Sequence, residues 1–380
     1  MKIEQKRWIK ETGWLSLSTD NLKDRAQLVF LFGDTTLLRD KRYFEEIKNF
    51  YPKAHIVGCS TAGEIVGAQV FDNSLVVTAV FFEDTKLQFV KTKLDRMEDS
   101  LKAGERLAEA LKKEELVHVF VLSDGLNVNG SDLAKGFTGK LPNNVAVTGG
   151  LAADQDRFKE TLIFSDSAPE GNTIAVIGFY GSRLKIGYGS MGGWDSFGPD
   201  RLITRSKGNI LYELDGQPAL ELYKKYLGDQ AKGLPAAGLL FPLSLYLKNR
   251  ETGLVRTILS VDEEQGSMIF AGDVPEGVYA RLMKANLERL INGAAGAADM
   301  SCQTTGLSTP DLAMLISCVG RKLVLKQRVE EEIESVQNVL GKGAAITGFY
   351  SYGEMCPVTP ADKQCELHNQ TMTVTTFFEK

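Results

Sequence analysis

His55-Ile56-Val57-Gly58-Cys59-Ser60-Thr61-Ala62-Gly63-Glu64 runs from a short apolar strand into a loop of glycine and small polar residues. Glycines in such a loop let the backbone turn sharply and approach a neighbour closely. Working outward, the apolar strand Leu28-Val29-Phe30-Leu31-Phe32 precedes it and ends in Gly33-Asp34. A helical segment over about Leu38–Phe50 lies between the two strands, and a third strand, Leu75–Phe82, follows. The same order occurs twice more. Val117–Leu122 leads to Ser123-Asp124, then Val145-Ala146-Val147-Thr148 opens onto Gly149-Gly150-Leu151-Ala152-Ala153-Asp154, and Thr173–Tyr180 follows. Met314–Val319 leads to Gly320-Arg321, and Ala344-Ala345-Ile346-Thr347 opens onto Gly348-Phe349-Tyr350-Ser351-Tyr352-Gly353-Glu354 before the strand Thr371–Phe378. The third helix is read over about Lys322–Leu340, because Leu325, Val329, Ile333, Val336 and Leu340 form one apolar stripe.

Strand and helix patterns alternate, yet long strands also follow one another directly. This predicts an α/β (mixed α+β) fold, with mixed sheets covered by helices, rather than a purely parallel doubly wound sheet. The likeness of the three strand–helix–strand units is either a true repeat or the ordinary resemblance of such units.

The stretch Gly181–Arg205 is glycine-rich and reads as turns. A helix is expected over about Pro218–Leu227, strands at Leu239–Leu247 and Val255–Val261, and an amphipathic helix at Val278–Ile291. The Gly/Pro/Ala-bearing segment 228–238 is the expected linker between an N-terminal domain, 22–227, and a C-terminal domain, 239–380. At roughly 150 residues per domain, a chain of 380 residues fits two such units.

Lys+Arg number 44 and Asp+Glu 49, a net charge of −5 that argues against broad nucleic-acid binding. The polar start, Met1-Lys2-Ile3-Glu4-Gln5-Lys6-Arg7, resembles no secretory signal, and the apolar runs are too short to span a membrane. Five cysteines, an odd number, suit reduced thiols in the cytoplasm better than a disulfide framework.

Five of these segments, in order, resemble the FIST family: Gly58–Glu64, Gly149–Asp154, Asn209–Pro218, Gly348–Glu354 and His368-Asn369-Gln370-Thr371. The resemblance implies FIST N-terminal and C-terminal domains and a sensor that binds a small molecule. It further implies signalling to a partner such as a histidine kinase or a cyclic-di-GMP enzyme. Amino acids are one ligand class the family suggests. A stand-alone subgroup that senses nitric oxide implies haem b as a cofactor.

The residues themselves offer several chemistries. Cys59, Ser60, Thr61 and Glu64 in the first loop, Asp154 in the second, and Tyr350, Tyr352 and Glu354 in the third are candidates for ligand binding, or for hydrogen bonds that support the fold. The alternatives are an enzyme that uses a thiol or a carboxylate, built on Cys59 and Glu64, or a pure scaffold, whereas no catalytic residue is assigned in the sensor reading. Gly187-Tyr188-Gly189-Ser190-Met191-Gly192 spells a dinucleotide fingerprint, but a loop, Gly193–Pro199, follows where a helix is required. Trp194, Phe197 and Arg205 are candidates for lining a pocket instead, or for a loop packed on the core.

Three histidines occur. His118 sits inside an apolar strand and reads as a core residue. His55 and His368 are the candidate haem ligands, with Cys356 or Cys365 as a thiolate alternative. Cys356, Cys365 and His368 also group as a candidate zinc cluster of unusual spacing.

Overall fold

The computed structural model describes residues 1–18, 20–246, 253–359 and 363–380. The three units are one unit used three times. In each, an inner strand pairs parallel with a second strand and antiparallel with a last one. These are Leu28–Gly33 with His55–Ser60 and Leu75–Phe81; Leu116–Ser123 with Ala146–Leu151 and Thr173–Tyr180; and Leu312–Cys318 with Ala345–Ser351 and Met372–Glu379. A further strand lies antiparallel to each last strand: Lys2–Ile9, itself flanked by Gly13–Ser16, and the edge strands Lys86–Lys93 and Leu184–Met191.

Beyond each glycine loop the chain crosses to a neighbouring copy. Glu64–Val66 pairs with Ala345–Ser351 of the third copy. Ile163–Ser165, from the second, pairs with His55–Ser60 of the first. Gly353–Pro357, from the third, pairs with Ala146–Leu151 of the second. The exchange closes a ring of three six-stranded sheets, each completed by a neighbour.

Matching positions carry matching constraints. A Cβ on Gly58, Gly149 or Gly348 would stand 1.8, 1.9 or 1.8 Å from the carbonyl oxygen of Leu31, Val121 or Leu315 on the adjacent inner strand. Before each last strand one residue is left-handed: Asn73, Asn172 and Gln370, at φ 53°, 56° and 62°. The sheets face one another over a shared core in which Phe30 meets Phe120 (5.7 Å between ring centres) and Phe32 meets Phe349 (4.7 Å).

The glycine-rich stretch read as turns is instead two strands, Leu184–Met191 and Asp195–Lys207. Its glycines serve packing. Helix Leu287–Thr305 lies so close that a Cβ on Gly187 or Gly189 would stand 2.0 or 2.2 Å from the carbonyl oxygens of Ser301 and Ala297. The helix read over Lys322–Leu340 is two helices, Val319–Leu325 and Val329–Leu340, because Lys326 adopts φ 53° and breaks the ladder.

Between edge strand Leu184–Met191 and helix Leu287–Thr305 the third copy carries an inserted module. It spans Asp195–Lys207 to Tyr279–Lys284 and is built on an eight-stranded sheet. The helix expected at Val278–Ile291 is the strand Tyr279–Lys284 followed by the start of Leu287–Thr305. Ala280 and Leu282 alternate into the module core at period two. The expected linker 228–238 holds most of two 3₁₀ segments, Gly228–Gly233 and Ala236–Leu240. Residues on both sides of it, Leu220 and Leu227 with Leu243 and Leu245, belong to one cluster, and the Tyr223 hydroxyl donates to Phe241 O across it. Packing therefore does not break there.

Candidate functional site

A cavity of about 490 Å³ lies between the inserted module and the carboxyl ends of two inner strands. Carboxyl ends of parallel strands are the usual place for ligands in such sheets. The second copy contributes Leu126, Asp156 and Phe158. The third contributes Cys318, Val319, Gly320, Leu323 and Tyr352. The module closes the other side with Pro235, Ala236, Leu239, Thr257, Ile258, Leu259 and Ala271. A groove of about 660 Å³ at Lys86–Gln88 and Lys112–Glu115 is wider, but exposed charged chains line much of it.

Asp154 organises one rim. Its carboxylate accepts the Tyr352 hydroxyl and the backbone N–H groups of Lys159 and Glu160, both at 3.0 Å. Phe158 N–H donates to the Tyr352 oxygen, and the two rings stack at 4.3 Å. Burial, then the bonded Asp154, pushes the Tyr352 phenol far up, so it stays protonated. Arg157 donates to the Asp154 backbone oxygen and to Asp34 Oδ2 (3.0 Å), tying this loop to the first copy.

Cys318 stands at the repeat position held by Asp34 and Asp124. In the first two copies the carboxylate accepts an N–H two residues on, Thr36 or Leu126, at 2.8 Å. The Asp124 carboxylate also accepts Asn172 N–H. At Cys318, hydrogen bonds with the backbones of Gln370 and Gly320 act to lower the thiol, but burial and the nearby Glu354 push it well up. The third copy thus puts an uncharged thiol where the others put a carboxylate.

Two buried polar atoms near this wall lack partners among the described residues: Thr257 Oγ1, on a lining residue, and Gln370 Oε1, on a residue behind Gly320 that does not line the cavity. Gln370 Nε2 donates to Leu239 O, and its amide lies within 2.8 Å of where a Gly320 Cβ would stand. Buried polar groups are nearly always bonded, so the unpartnered Thr257 hydroxyl on the lining has capacity for one more partner.

Of the residues singled out in sequence, only Tyr352 lines the cavity, with Asp154 bonded behind it. Cys59 is buried in the shared core, and burial holds its thiol well up. Ser60 accepts Leu162 N–H. Thr61 donates to Glu64 Oε1 at 2.5 Å, and Ser351 to Glu354 Oε1 at 2.7 Å, so both glutamates are spent on the fold. Tyr350 donates to Glu332. Trp194 donates to Gln370 O from an apolar cluster, and Arg205 pairs with Glu213 on the module surface.

His55 bonds Asp166 (2.6 Å) and stacks on Phe89. His368 contacts Cys356 O (2.9 Å). Burial lowers His118 to about 3, as a core histidine requires. Among the described residues no group of three or more His, Cys, Asp or Glu is placed to hold a metal. The cavity does not fit haem b. Its described lining has no imidazole, and its thiol is held protonated.

Sequence reasoning missed Thr257, Leu323, Phe158 and the module's contribution. Thr257 carries no motif and becomes adjacent only through the insertion. Cys318 had a usable signal, since it aligns with Asp34 and Asp124.

Residues 27–217 match the FIST N domain and residues 219–357 the FIST C domain. An uncharacterized protein of Methanocaldococcus jannaschii is 25% identical over 395 aligned residues, which covers 93% of this chain and 74% of that protein. A solved cyanuric acid hydrolase from A. caulinodans covers 77% of this chain and 99% of its own at 9% identity. Its TM-score of 0.18 carries no argument about fold or activity.

Proposed function

The chain belongs to the FIST family, whose domains are sensory, small-ligand-binding signalling domains, and on that premise we propose that the cavity between module and core is its sensing site. The observation that carries this reading is Thr257, a cavity-lining residue with a buried, unpartnered hydroxyl. The signal passes to a partner protein such as a histidine kinase or a cyclic-di-GMP enzyme, in the cytoplasm. Among the described residues no helix is long and apolar enough to cross a membrane.

Arg321 supplies a route outward. It follows Gly320 of the cavity wall and is fully buried. It bonds Gly192 O, Leu290 O and Glu332, so movement of Val319–Leu325 is felt by helices Leu287–Thr305 and Val329–Leu340. We read the chain as a binder rather than an enzyme. Cys59 and Glu64, the pair an enzymatic reading would use, have no exposed surface.

The test is organic extraction and mass spectrometry of purified protein. A compound retained at near one per chain by the wild type should be lost from Ala271→Trp, which fills the cavity from its wall. Equal retention by the variant contradicts the assignment.

A further inference from the structure

We propose that the cavity selects an uncharged, largely apolar molecule with a hydroxyl or N–H, and rejects amino acids and carboxylates; this rests on the cavity being the sensing site. The lining supplies no positive charge, since no Lys, Arg or His occurs among its described residues. A ligand carboxylate taken from water would stay unpaired there, which is costly. Of the groups that could ionise, Tyr352 and Cys318 are neutral, and Asp156 is exposed at the rim, where it repels anions.

The walls are Leu126, Phe158, Leu239, Ile258, Leu259 and Leu323 with smaller apolar residues between them. Phe158 and Leu259 are 42% and 41% exposed, an apolar entrance. On the lining, the orphaned Thr257 hydroxyl is complementary to a neutral polar group. Thr257 Oγ1 both donates and accepts. A ligand hydroxyl or N–H would give Thr257 the partner it lacks.

The experiment is displacement of 1-aminoanthracene, an uncharged fluorophore, from the full chain at neutral pH. Octan-1-ol should displace it at least about tenfold more effectively than octanoate, and leucine should not displace it. Thr257→Val, which keeps shape but removes the hydroxyl, should weaken octan-1-ol about fivefold, and Thr257→Ser should restore it. Displacement by octanoate or leucine equal to that by octan-1-ol overturns the ligand class but leaves the site standing. Failure of the fluorophore to bind wild type, with Ala271→Trp indistinguishable, overturns the site as well.

Discussion

Glu64 and Glu354 hold the same place in two copies of one unit, and each is fully buried in the same cradle of hydroxyls. Glu64 accepts from Thr61 and from the Ser74 hydroxyl and N–H. Glu354 accepts from Ser351 and from the Thr371 hydroxyl and N–H. By strand register the second copy has Ile163 there, opposite Cys59 as Glu64 is opposite Phe349.

Burial raises Glu64 to about 7 and Glu354 to about 8, although the hydroxyl bonds pull the other way. Unfolded carboxyls titrate near ~4.3, so between that value and about 8 the native state holds protons that the unfolded chain has released. Stability is therefore complete below that window and falls as pH rises through it. Lys322 and Asp72 act on Glu64, and Arg321 on Glu354. Thermal midpoints should drop by several degrees between about pH 5.5 and 8.5, and Glu64→Gln with Glu354→Gln should flatten the curve. A wild-type profile as flat as the double variant's would refute the assignment.

Arg321 and Glu332 form an ion pair with neither side chain exposed, 2.7 Å apart. Arg321→Met leaves Glu332 buried with the Ser317 and Tyr350 hydroxyls as partners. Urea unfolding should show a loss of about 3–5 kcal/mol. A loss under about 1 kcal/mol would mean the pair is not buried as described.

The repeat has its own test. Ala at Gly58, Gly149 or Gly348 should each destabilise by about 2 kcal/mol or more, because the added carbon meets backbone that cannot move aside. Gly139, on helix Gly130–Lys140 with nothing near its Cβ position, should instead gain about 0.5–1 kcal/mol as Ala. If one of the three core glycines tolerates Ala, the copies are not equivalent there.

Much of the repeat was legible because inner strands buried on both faces are continuous apolar runs, as at Leu28–Phe32 and Val117–Leu122, and Thr173–Tyr180 was read with its observed ends. The exchange of crossing strands was not, since Glu64-Ile65-Val66 is three residues long and its partner lies far away in sequence. Gly187 and Gly189 misled because glycine reads as a turn, whereas here it makes room for a helix. The three glycine loops were read too early, since Gly58–Ser60, Gly149–Leu151 and Gly348–Ser351 are still paired strand, and Cys59 and Glu64 face inward. The cavity is completed by an insertion whose contribution no local pattern announces.

The central claim is that ligand enters between the module and the three-sheet core. Hydrogen–deuterium exchange with saturating 1-aminoanthracene tests it most directly. Protection should rise together in peptides covering 156–158, 235–240, 257–259 and 318–323, with little change at 58–64. Protection confined to 58–64 and 348–354, with the module segments unaffected, would contradict it.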